Sequence, residues 1–333
     1  MSLIIKSMDA SHSKKIVFCG SDEIALPMLD FLSSFSGVSI VGIITQPDRR
    51  MGRGRKLQAN GIKQWGGARE IEVKTPNKPG MEEVYWLKNT CVDLVLVMAY
   101  GHILKQNFLN APSLGCFNLH ASLLPSYRGA SPIETSLASG DEKSGVTLMR
   151  MVKKMDAGPI IGQVDVPLGI NENGISLRSK LATACVPLLR THLPQLIQGT
   201  AKETSQEEKN VTYCRKLTKE DSFLDFSLSA SQLDFRIRSF LSWPGSTFSY
   251  EGISLKVGKC RVKTESELMP GEILIKDNLD LKIGTAKGAL QILELQKPGG
   301  KMLPVTDFLR GFPMKKSFKL SYSKAKALVS EKF

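Results

Sequence analysis

The first half of the chain is patterned by short, nearly continuous apolar runs. Lys15–Cys19 ends at Gly20 and is followed by a polar turn and Pro27, while Ser39–Thr45 and Val92–Ala99 are further apolar runs rich in β-branched residues. Such runs are typical of strands buried on both faces of a parallel sheet, and proline suits the first turn of a helix. With helical stretches between the runs, the pattern predicts a Rossmann-like, doubly wound α/β domain.

The second half changes to alternating patterns. Ser229–Gln232 is a capping box that opens a helix, and Trp243–Gly245 ends it. Apolar and polar residues then alternate in short runs at Phe248–Val257, Leu279–Ile283 and Leu290–Ile292, which are separated by turns. This pattern predicts a C-terminal antiparallel β-barrel of the OB-like type.

A polar segment separates the two halves. In Thr200–Asn210 the one apolar residue is Ala201, and the segment follows Gly199 at the end of a helical stretch, as expected of a linker. The predicted division is an extension at 1–13, an α/β domain at 14–199, a linker at 200–214 and a barrel domain at 215–333.

Composition restricts the class of protein. Of the 333 residues 42% are hydrophobic and 23% charged, as in soluble globular proteins. The longest internal apolar run, Leu94–Ala99, is too short to cross a bilayer, and no signal segment is expected. The six cysteines are far apart and form no C-x-x-C pair, which indicates a reducing, cytoplasmic location. The net charge of +13 favours a polyanionic partner.

The strongest candidate for chemistry is the stretch Cys116–Pro125. In an extended strand, alternate side chains share a face, so Asn118, His120 and Ser122 would lie together on what should be a buried surface. Buried amide, imidazole and hydroxyl groups need partners or a function. A purely structural hydrogen-bond network at a strand end is the alternative.

A carboxylate could complete this site. Asp156 follows the apolar run Val146–Val152, and ligands of open α/β sheets bind at strand ends. Asn118, His120 and Asp156 together could supply an oxyanion donor, a proton carrier and a group that orients the imidazole, as acyl transfer between nitrogens requires. Asp-x-Gly is also an ordinary turn sequence.

A cationic segment directly follows the second predicted strand. Its positive side chains are separated by glycines, as in a loop able to grip a sugar-phosphate backbone; a merely solvated loop is the alternative. These cations are Arg49, Arg50, Arg53, Arg55 and Lys56.

Other nucleotide, metal and nucleophile signatures are missing. The first turn has only Gly20 of a G-x-G-x-x-G motif and continues with Asp22 and Glu23, which would repel a pyrophosphate. There is no P-loop, no G-x-S-x-G elbow, and no metal-ligand spacing among the histidines. No metal site is therefore expected.

With these motifs in view, the chain resembles the methionyl-tRNA formyltransferases from about Lys15 to Phe312. The motif Asn118–Gly129 is shared with other enzymes that use 10-formyltetrahydrofolate, so it identifies the chemistry more firmly than the acceptor. The motifs that carry the resemblance are, in order, Phe18–Asp22, Thr45–Arg49, Ala99–Gly101, Asn118–Gly129, Asp156–Gly158, Ser242–Pro244 and Leu295–Gln296. Pro159 stands where the family often has aspartate.

The resemblance implies transfer of a formyl group from 10-formyltetrahydrofolate to the α-amino group of methionyl initiator tRNA, without a tightly bound cofactor. Nothing in the sequence requires more than a monomer. The resemblance also implies that Asn118, His120 and Asp156 are catalytic and that the cationic segment and the barrel bind tRNA. The implied folate-binding turn comprises Ser122, Leu123, Leu124 and Pro125.

Two other functions remain open at this point. A formyltransferase acting on a nucleotide-linked amino sugar would share the catalytic motif and a small β-rich second domain, although the cationic segment argues against it. A non-catalytic RNA-binding protein would use only the barrel and the positive charge.

Overall fold

The computed structural model describes residues 13–331 except 52, 53, 55 and 278. The chain forms two compact units, and each unit is assembled from segments that are separate in sequence. The first contains the chain up to Arg128 with Gly145–Val166 and Arg178–Val211, and the second contains Gly129–Ser144, Pro167–Leu177 and the chain from Thr212 onward. This spatial grouping does not test the functional boundaries predicted at 199 and 215, which stay predictions.

The strands up to residue 167 are mostly short. In chain order they are β1 (Lys14–Cys19), β2 (Val38–Ile44), β3 (Arg49–Met51), β4 (Lys56–Gln58), β5 (Val73–Lys74), β6 (Leu94–Val97), β7 (Gly115–His120), β8 (Arg128–Gly129), β9 (Lys143–Arg150) and β10 (Ile160–Pro167). Seven of them form one sheet in the order β10-β9-β7-β6-β1-β2-β5.

Helices connect the parallel strands and cap the second unit. They are α1 (Leu26–Ser34), α2 (Gly61–Gly67), α3 (Met81–Asn89), α4 (Gln106–Leu109), α5 (Pro132–Ser139), α6 (Gly174–Gln198), α7 (Ala230–Ser239) and α8 (Val305–Gly311). Side chains cap the amino ends of two of these helices. Asn60 accepts a hydrogen bond from the Lys63 amide at the start of α2, and Ser229 accepts one from the Gln232 amide at the start of α7. Within the part of the chain that the structure describes, no helix combines the length and the apolar character needed to cross a bilayer.

The strand order confirms the predicted Rossmann-like class. Strands β2, β1, β6 and β7 are parallel neighbours, so the order reverses between β1 and β6, and their carboxyl ends share one edge of the sheet. Side chains such as Val17, Ile44 and Val95 are fully buried because helices cover both faces of such a sheet. Ligands of this fold bind where the strand order reverses, at the carboxyl edge.

The second unit is built around a curled antiparallel sheet, which confirms the predicted OB-like class. The strands from residue 212 onward are β11 (Tyr213–Cys214), β12 (Thr247–Tyr250), β13 (Ile253–Lys263), β14 (Glu272–Lys276), β15 (Asp280–Gly284), β16 (Ala289–Gln296), β17 (Leu303–Pro304), β18 (Ser317–Lys319) and β19 (Val329–Ser330). The order is β12-β13-β16-β15-β14-β18, and the apolar face of α7, with Leu233 and Ile237, belongs to the same buried core as the inward residues of the sheet.

An ion pair between the half-buried Arg215 and the buried Asp221 fastens the C-terminal segment within this unit. The Arg215 guanidinium binds both carboxylate oxygens of Asp221, at 2.8 Å through Nη1, and its Nε donates to the Ala327 carbonyl at 2.8 Å. Burial acts to raise the pKa of Asp221, but the hydrogen bonds from Arg215 and from the Thr218 amide, with the Arg215 charge, outweigh it and lower the pKa overall. The charged pair therefore stabilises the fold near neutral pH.

We expect Asp221→Asn to reduce the free energy of unfolding by about 1 to 3 kcal/mol at pH 7, since a charge-assisted hydrogen bond is lost. The pKa of folded Asp221 lies below the value of about 3.9 in unfolded chains, so its contribution is complete above that pH and is lost as the pH falls through the folded pKa. Urea unfolding from pH 7 to pH 3 should show the variant and the wild type converging. Glu267→Gln, at an exposed position, is the control, and a difference between Asp221→Asn and the wild type that does not shrink from pH 7 to pH 3 would contradict this role.

Candidate active site

Strand β7 carries two polar side chains into the interior of the first unit. It lies between β6, with Val97 paired to Asn118, and the antiparallel β9, with Thr147 paired to His120. Asn118 and His120 are two residues apart, so they share a face, and only 9% and 6% of their surfaces are exposed. Among the described residues, the Asn118 side-chain amide has no hydrogen-bond partner.

Ser122 does not continue this face, contrary to the predicted alternation. Strand β7 ends at His120, and the chain then turns through a cis peptide between Leu124 and Pro125. The Ser122 hydroxyl donates to the Ser126 carbonyl at 2.7 Å, so it stabilises the turn from within. Ser122 is 1% exposed, so the outer surface of the turn consists of its backbone and its apolar residues.

The turn is fastened by two side chains from the neighbouring strands. The Thr147 hydroxyl donates to the Ser122 carbonyl at 2.7 Å and accepts from the Leu124 amide at 3.0 Å. The Gln163 amide donates to that hydroxyl and to the Leu124 carbonyl, each at 2.9 Å. The buried turn therefore has its backbone polar groups satisfied by β9 and β10, as burial requires. Sequence reasoning found neither residue, because one polar side chain in an apolar run gives no distinctive signal.

The orientation of the His120 ring is set by a backbone carbonyl. Nε2 lies 2.9 Å from the carbonyl oxygen of Tyr127, which fixes Nε2 as the protonated nitrogen and as the donor. Tyr127 has φ of 61°, a left-handed conformation that is unusual for a bulky residue. Nδ1 is therefore the ring nitrogen that faces the Asp156 carboxylate, with 3.8 Å between Nδ1 and Oδ2. Sequence reasoning gave the orienting role to Asp156 and did not find Tyr127.

Asp156 reaches the site by a different route from the predicted one. The prediction treated the residue as following a strand that ends at the shared carboxyl edge, but β9 is antiparallel to β7, and its last residue Arg150 pairs with Phe117. The loop after β9 folds back, so that its carboxylate comes to His120. Asp156 itself has φ of 51°, in the left-handed region.

Glycine is required in this loop. A Cβ atom on Gly158 would lie 1.7 Å from the Arg150 carbonyl oxygen, so no side chain fits while the Arg150 amide donates to the Pro159 carbonyl at 3.0 Å. The Asp-Ala-Gly sequence is therefore a tight turn and also places a carboxylate. The turn is a property of the structure, and the catalytic role of Asp156 stays a prediction.

The neighbouring thiol plays no part in acid-base chemistry. Burial raises the pKa of Cys116 to about 12, with the Arg150 charge acting in the opposite direction, so the thiol is neutral at physiological pH. The groups available for chemistry are then an unpartnered amide, an imidazole nitrogen and a carboxylate, at a site that is nearly closed to water. They can donate to a developing oxyanion and move a proton.

The cationic segment forms a short hairpin. Strands β3 and β4 pair with Arg50 opposite Leu57, and the pairing places Arg49 and Lys56 on one face and Arg50 on the other. The Arg49 guanidinium donates to the Gln46 side chain, whose Nε2 donates to the Tyr100 carbonyl at 2.7 Å. Arg53 and Arg55 lie outside the described residues.

Positive charge at this edge extends beyond the hairpin. Burial, and then the charges of Arg49 and Lys78, lower the pKa of His102, so both cations are close to a neutral imidazole in the loop after β6. The Ser21 hydroxyl donates to the same Tyr100 carbonyl as Gln46, at 3.0 Å, which joins the ends of β1, β2 and β6. Sequence reasoning missed Lys78, because an isolated surface lysine gives no signal.

Comparison with known proteins agrees with this fold. The family model described as formyl transferase matches residues 14–191, and that of the formyl transferase C-terminal domain matches residues 216–313. The chain belongs to the formyl transferase family. Within it, the chain is 37% identical over 298 residues to a methionyl-tRNA formyltransferase of Halorhodospira halophila, which covers 89% of this chain and 96% of the relative.

Solved structures share the fold at lower identity. An N-formyltransferase of Helicobacter canadensis, in complex with folinic acid and dTDP-3-aminofucose, is 20% identical, with a TM-score of 0.64, and covers 86% of this chain and 100% of its own. HypX of Aquifex aeolicus in complex with tetrahydrofolic acid is 18% identical, with a TM-score of 0.57, and covers 93% of this chain and 51% of its own.

We expect Thr147→Val to destabilise the first unit by about 1 to 3 kcal/mol, because the buried Ser122 carbonyl and Leu124 amide lose their partner while the side-chain volume is kept. Denaturant unfolding measures the loss. Thr183→Val is the matched control, since this exposed threonine on α6 bonds only to the Ser179 carbonyl of its own helix among the described residues. Equal effects of the two substitutions would argue against the role given to Thr147.

Proposed function

We propose that this protein transfers the formyl group of 10-formyltetrahydrofolate to the α-amino group of methionyl initiator tRNA. The observation that carries the proposal is the buried pair Asn118 and His120 facing Asp156, in a chain that is related over nearly its whole length to a methionyl-tRNA formyltransferase. The Asn118 amide is buried without a partner, as expected of a donor that waits for a ligand.

The reaction requires nucleophilic attack, stabilisation of the negative charge on the formyl oxygen, and transfer of a proton. The neutral amine attacks the formyl carbon, its electron pair forms the new C–N bond, and negative charge develops on the formyl oxygen. Asn118 donates to that oxygen. The bond from carbon to N10 of the folate then breaks, and the proton lost by the amine ends on N10. His120 carries this proton on Nδ1, because Nε2 is held by the Tyr127 carbonyl.

Asp156 has an electrostatic role in this scheme. When the imidazole takes up a proton, the ring becomes a cation with donors at both nitrogens, one on the Tyr127 carbonyl and one directed at the carboxylate. The transient imidazolium is thus stabilised at a site where water could not solvate it.

The turn after β7 is the proposed folate site. Leu123 and Pro125 are partly exposed, whereas Ser122 and Leu124 are buried beneath them, so the apolar contact surface comes from the first pair. Folate compounds in two solved relatives, folinic acid and tetrahydrofolic acid, support this ligand class. The fixed backbone of the turn would hold the pterin by shape, with the co-substrate released after each turnover.

The acceptor is proposed to be tRNA. The β3–β4 hairpin with Arg49, Arg50, Arg53, Arg55 and Lys56 would contact the acceptor stem, and the OB-like domain at 215–333 would bind the tRNA body, with 14–199 as the catalytic domain and 200–214 as the linker. A net charge of +13 suits this polyanion. A monomer in the cytoplasm would be sufficient.

A nucleotide-linked amino sugar is the second candidate acceptor, because solved relatives include an N-formyltransferase in complex with dTDP-3-aminofucose. That likeness is at 20% identity, against 37% for the methionyl-tRNA formyltransferase. Incubation with 10-formyltetrahydrofolate and either methionyl initiator tRNA or a dTDP-amino sugar, followed by mass spectrometry of the acceptor, separates the two. Formylation of the sugar alone would overturn the proposal.

We expect Asn118→Ala to reduce kcat by about 100- to 1000-fold, as for the loss of one oxyanion donor, with unchanged tRNA affinity. Single-turnover formylation measures the rate, and filter binding measures the affinity. Asn110→Ala is the control, because this exposed asparagine follows α4 at the opposite edge of the sheet. Wild-type turnover in Asn118→Ala would exclude the oxyanion role.

The cationic hairpin is tested by the salt dependence of tRNA binding. If Arg50 and Lys56 each contact one phosphate, replacing both with alanine should lower the slope of log K against log salt by about 1.4 to 1.8. Lys88→Ala is the control, because this exposed lysine ends α3 on the side from which β6 begins. An unchanged slope in the double variant would remove the hairpin from the tRNA site.

A further inference from the structure

Gln206 connects the predicted linker to the candidate active site. Its side-chain Nε2 donates to the Asp156 carbonyl at 2.8 Å and to the Gly158 carbonyl at 2.7 Å. Both hydrogens of this amide nitrogen are therefore donated to the loop, one to Asp156 and one to Gly158. The segment was predicted from its polar composition to be only a connection.

The other end of the same side chain holds a buried arginine. Oε1 of Gln206 accepts from Nε of Arg128 at 3.0 Å and from Nη2 at 2.8 Å, and the Arg128 side chain is fully buried. Arg128 directly follows Tyr127, whose carbonyl fixes the His120 ring. One amide side chain thus joins the backbone that orients the imidazole to the backbone that carries the carboxylate.

The backbone of the loop is strained at the residue that bears the carboxylate. Asp156 has a left-handed backbone, which costs free energy for any residue with a side chain, and residues 152–159 form no helix or strand. The Ala157 amide donates to the Lys154 carbonyl at 3.3 Å, a weak bond. The separation of 3.8 Å between Nδ1 and Oδ2 makes the imidazole interaction sensitive to small displacements.

The linker segment itself is fastened independently of Gln206. Thr204 and Ile160 exchange two backbone hydrogen bonds of 2.8 Å, and the Glu203 carboxylate accepts from Nε of Arg150 at 2.6 Å. A change confined to the Gln206 side chain should therefore leave the path of the segment intact. This allows its effect on the loop to be measured separately.

We propose that Gln206 is a positioning residue, which holds the Asp156 loop against His120 by clamping the Asp156 and Gly158 carbonyls onto Arg128. The inference rests on the proposed function only for its catalytic consequence. The clamp itself is a property of the fold and can be tested without substrate.

Gln206→Glu is the most informative substitution. Glutamate keeps two oxygen acceptors for the buried Arg128, but its carboxylate cannot donate to the carbonyls of Asp156 and Gly158. Gln206→Met, which loses both halves of the clamp, is the second variant. Glu207→Gln is the matched control in the same segment, because Glu207 is exposed and its side chain contacts only Lys209 and Asn210 among the described residues.

The first measurement is amide hydrogen exchange of peptides that cover residues 151–159, since local opening reports local stability. Faster exchange is expected in Gln206→Glu and Gln206→Met, with wild-type exchange in Glu207→Gln. Unchanged protection in both Gln206 variants would overturn the clamp, whatever the protein's activity.

The second measurement is formylation kinetics with methionyl initiator tRNA. We expect kcat to fall about 10- to 100-fold in Gln206→Glu, with little change in KM for either substrate, because a displacement of about 1 Å can cost 100-fold. If the effect acts through Asp156, adding Gln206→Glu to Asp156→Asn should cost less than about 2-fold more. Full additivity, or a rise in KM at constant kcat, would overturn the positioning role. Inactivity of the wild-type protein would instead refute the proposed function and leave the exchange result standing.

Discussion

The structure depends on one constraint, the burial of polar groups within a mixed, mostly parallel sheet. An imidazole removed from water must have its nitrogens satisfied, and in this chain a backbone carbonyl satisfies Nε2 while Nδ1 is left to face a carboxylate. That carbonyl belongs to a turn whose backbone is bonded to the Thr147 hydroxyl and the Gln163 amide. The reactive geometry is thus the end product of several hydrogen bonds that have no chemical role themselves.

The sequence predicted the architecture because the architecture follows from periodicity. The β-branched runs became β1, β2 and β6, and the capping box at Ser229 opened α7. Strand β14 was not predicted, although its buried Ile273 and Ile275 alternate with more exposed residues. The sequence could not give strand direction, so the antiparallel course of β9, and with it the route to Asp156, became clear only from the structure.

The residues of the candidate site could be identified from the sequence, but the hydrogen bonds that position them could not. Asn118 and His120 stood out because polar residues are unusual in a buried strand. Tyr127, Thr147 and Gln206 carried no such signal, since their contribution depends on contacts between segments distant in sequence. Even the resemblance to a known family identifies positions and leaves open which hydrogen bonds hold them. The segment after α6 has a polar composition, and its backbone and side-chain bonds to the rest of the first unit could not be predicted from that composition. Its role as a linker stays a prediction.

The docking of that segment has a consequence for protein engineering. The first unit continues to Val211, past the polar stretch that would be chosen as a natural junction. In a chimera joined at the end of α6, the residues at positions 204 and 206 would come from the other parent. The backbone bonds to Ile160 and the side-chain bonds to the loop after β9 would then no longer be the native ones. Recombination that exchanges the C-terminal part of the chain between relatives should instead place its crossover after residue 211, so that the first unit keeps its own final segment.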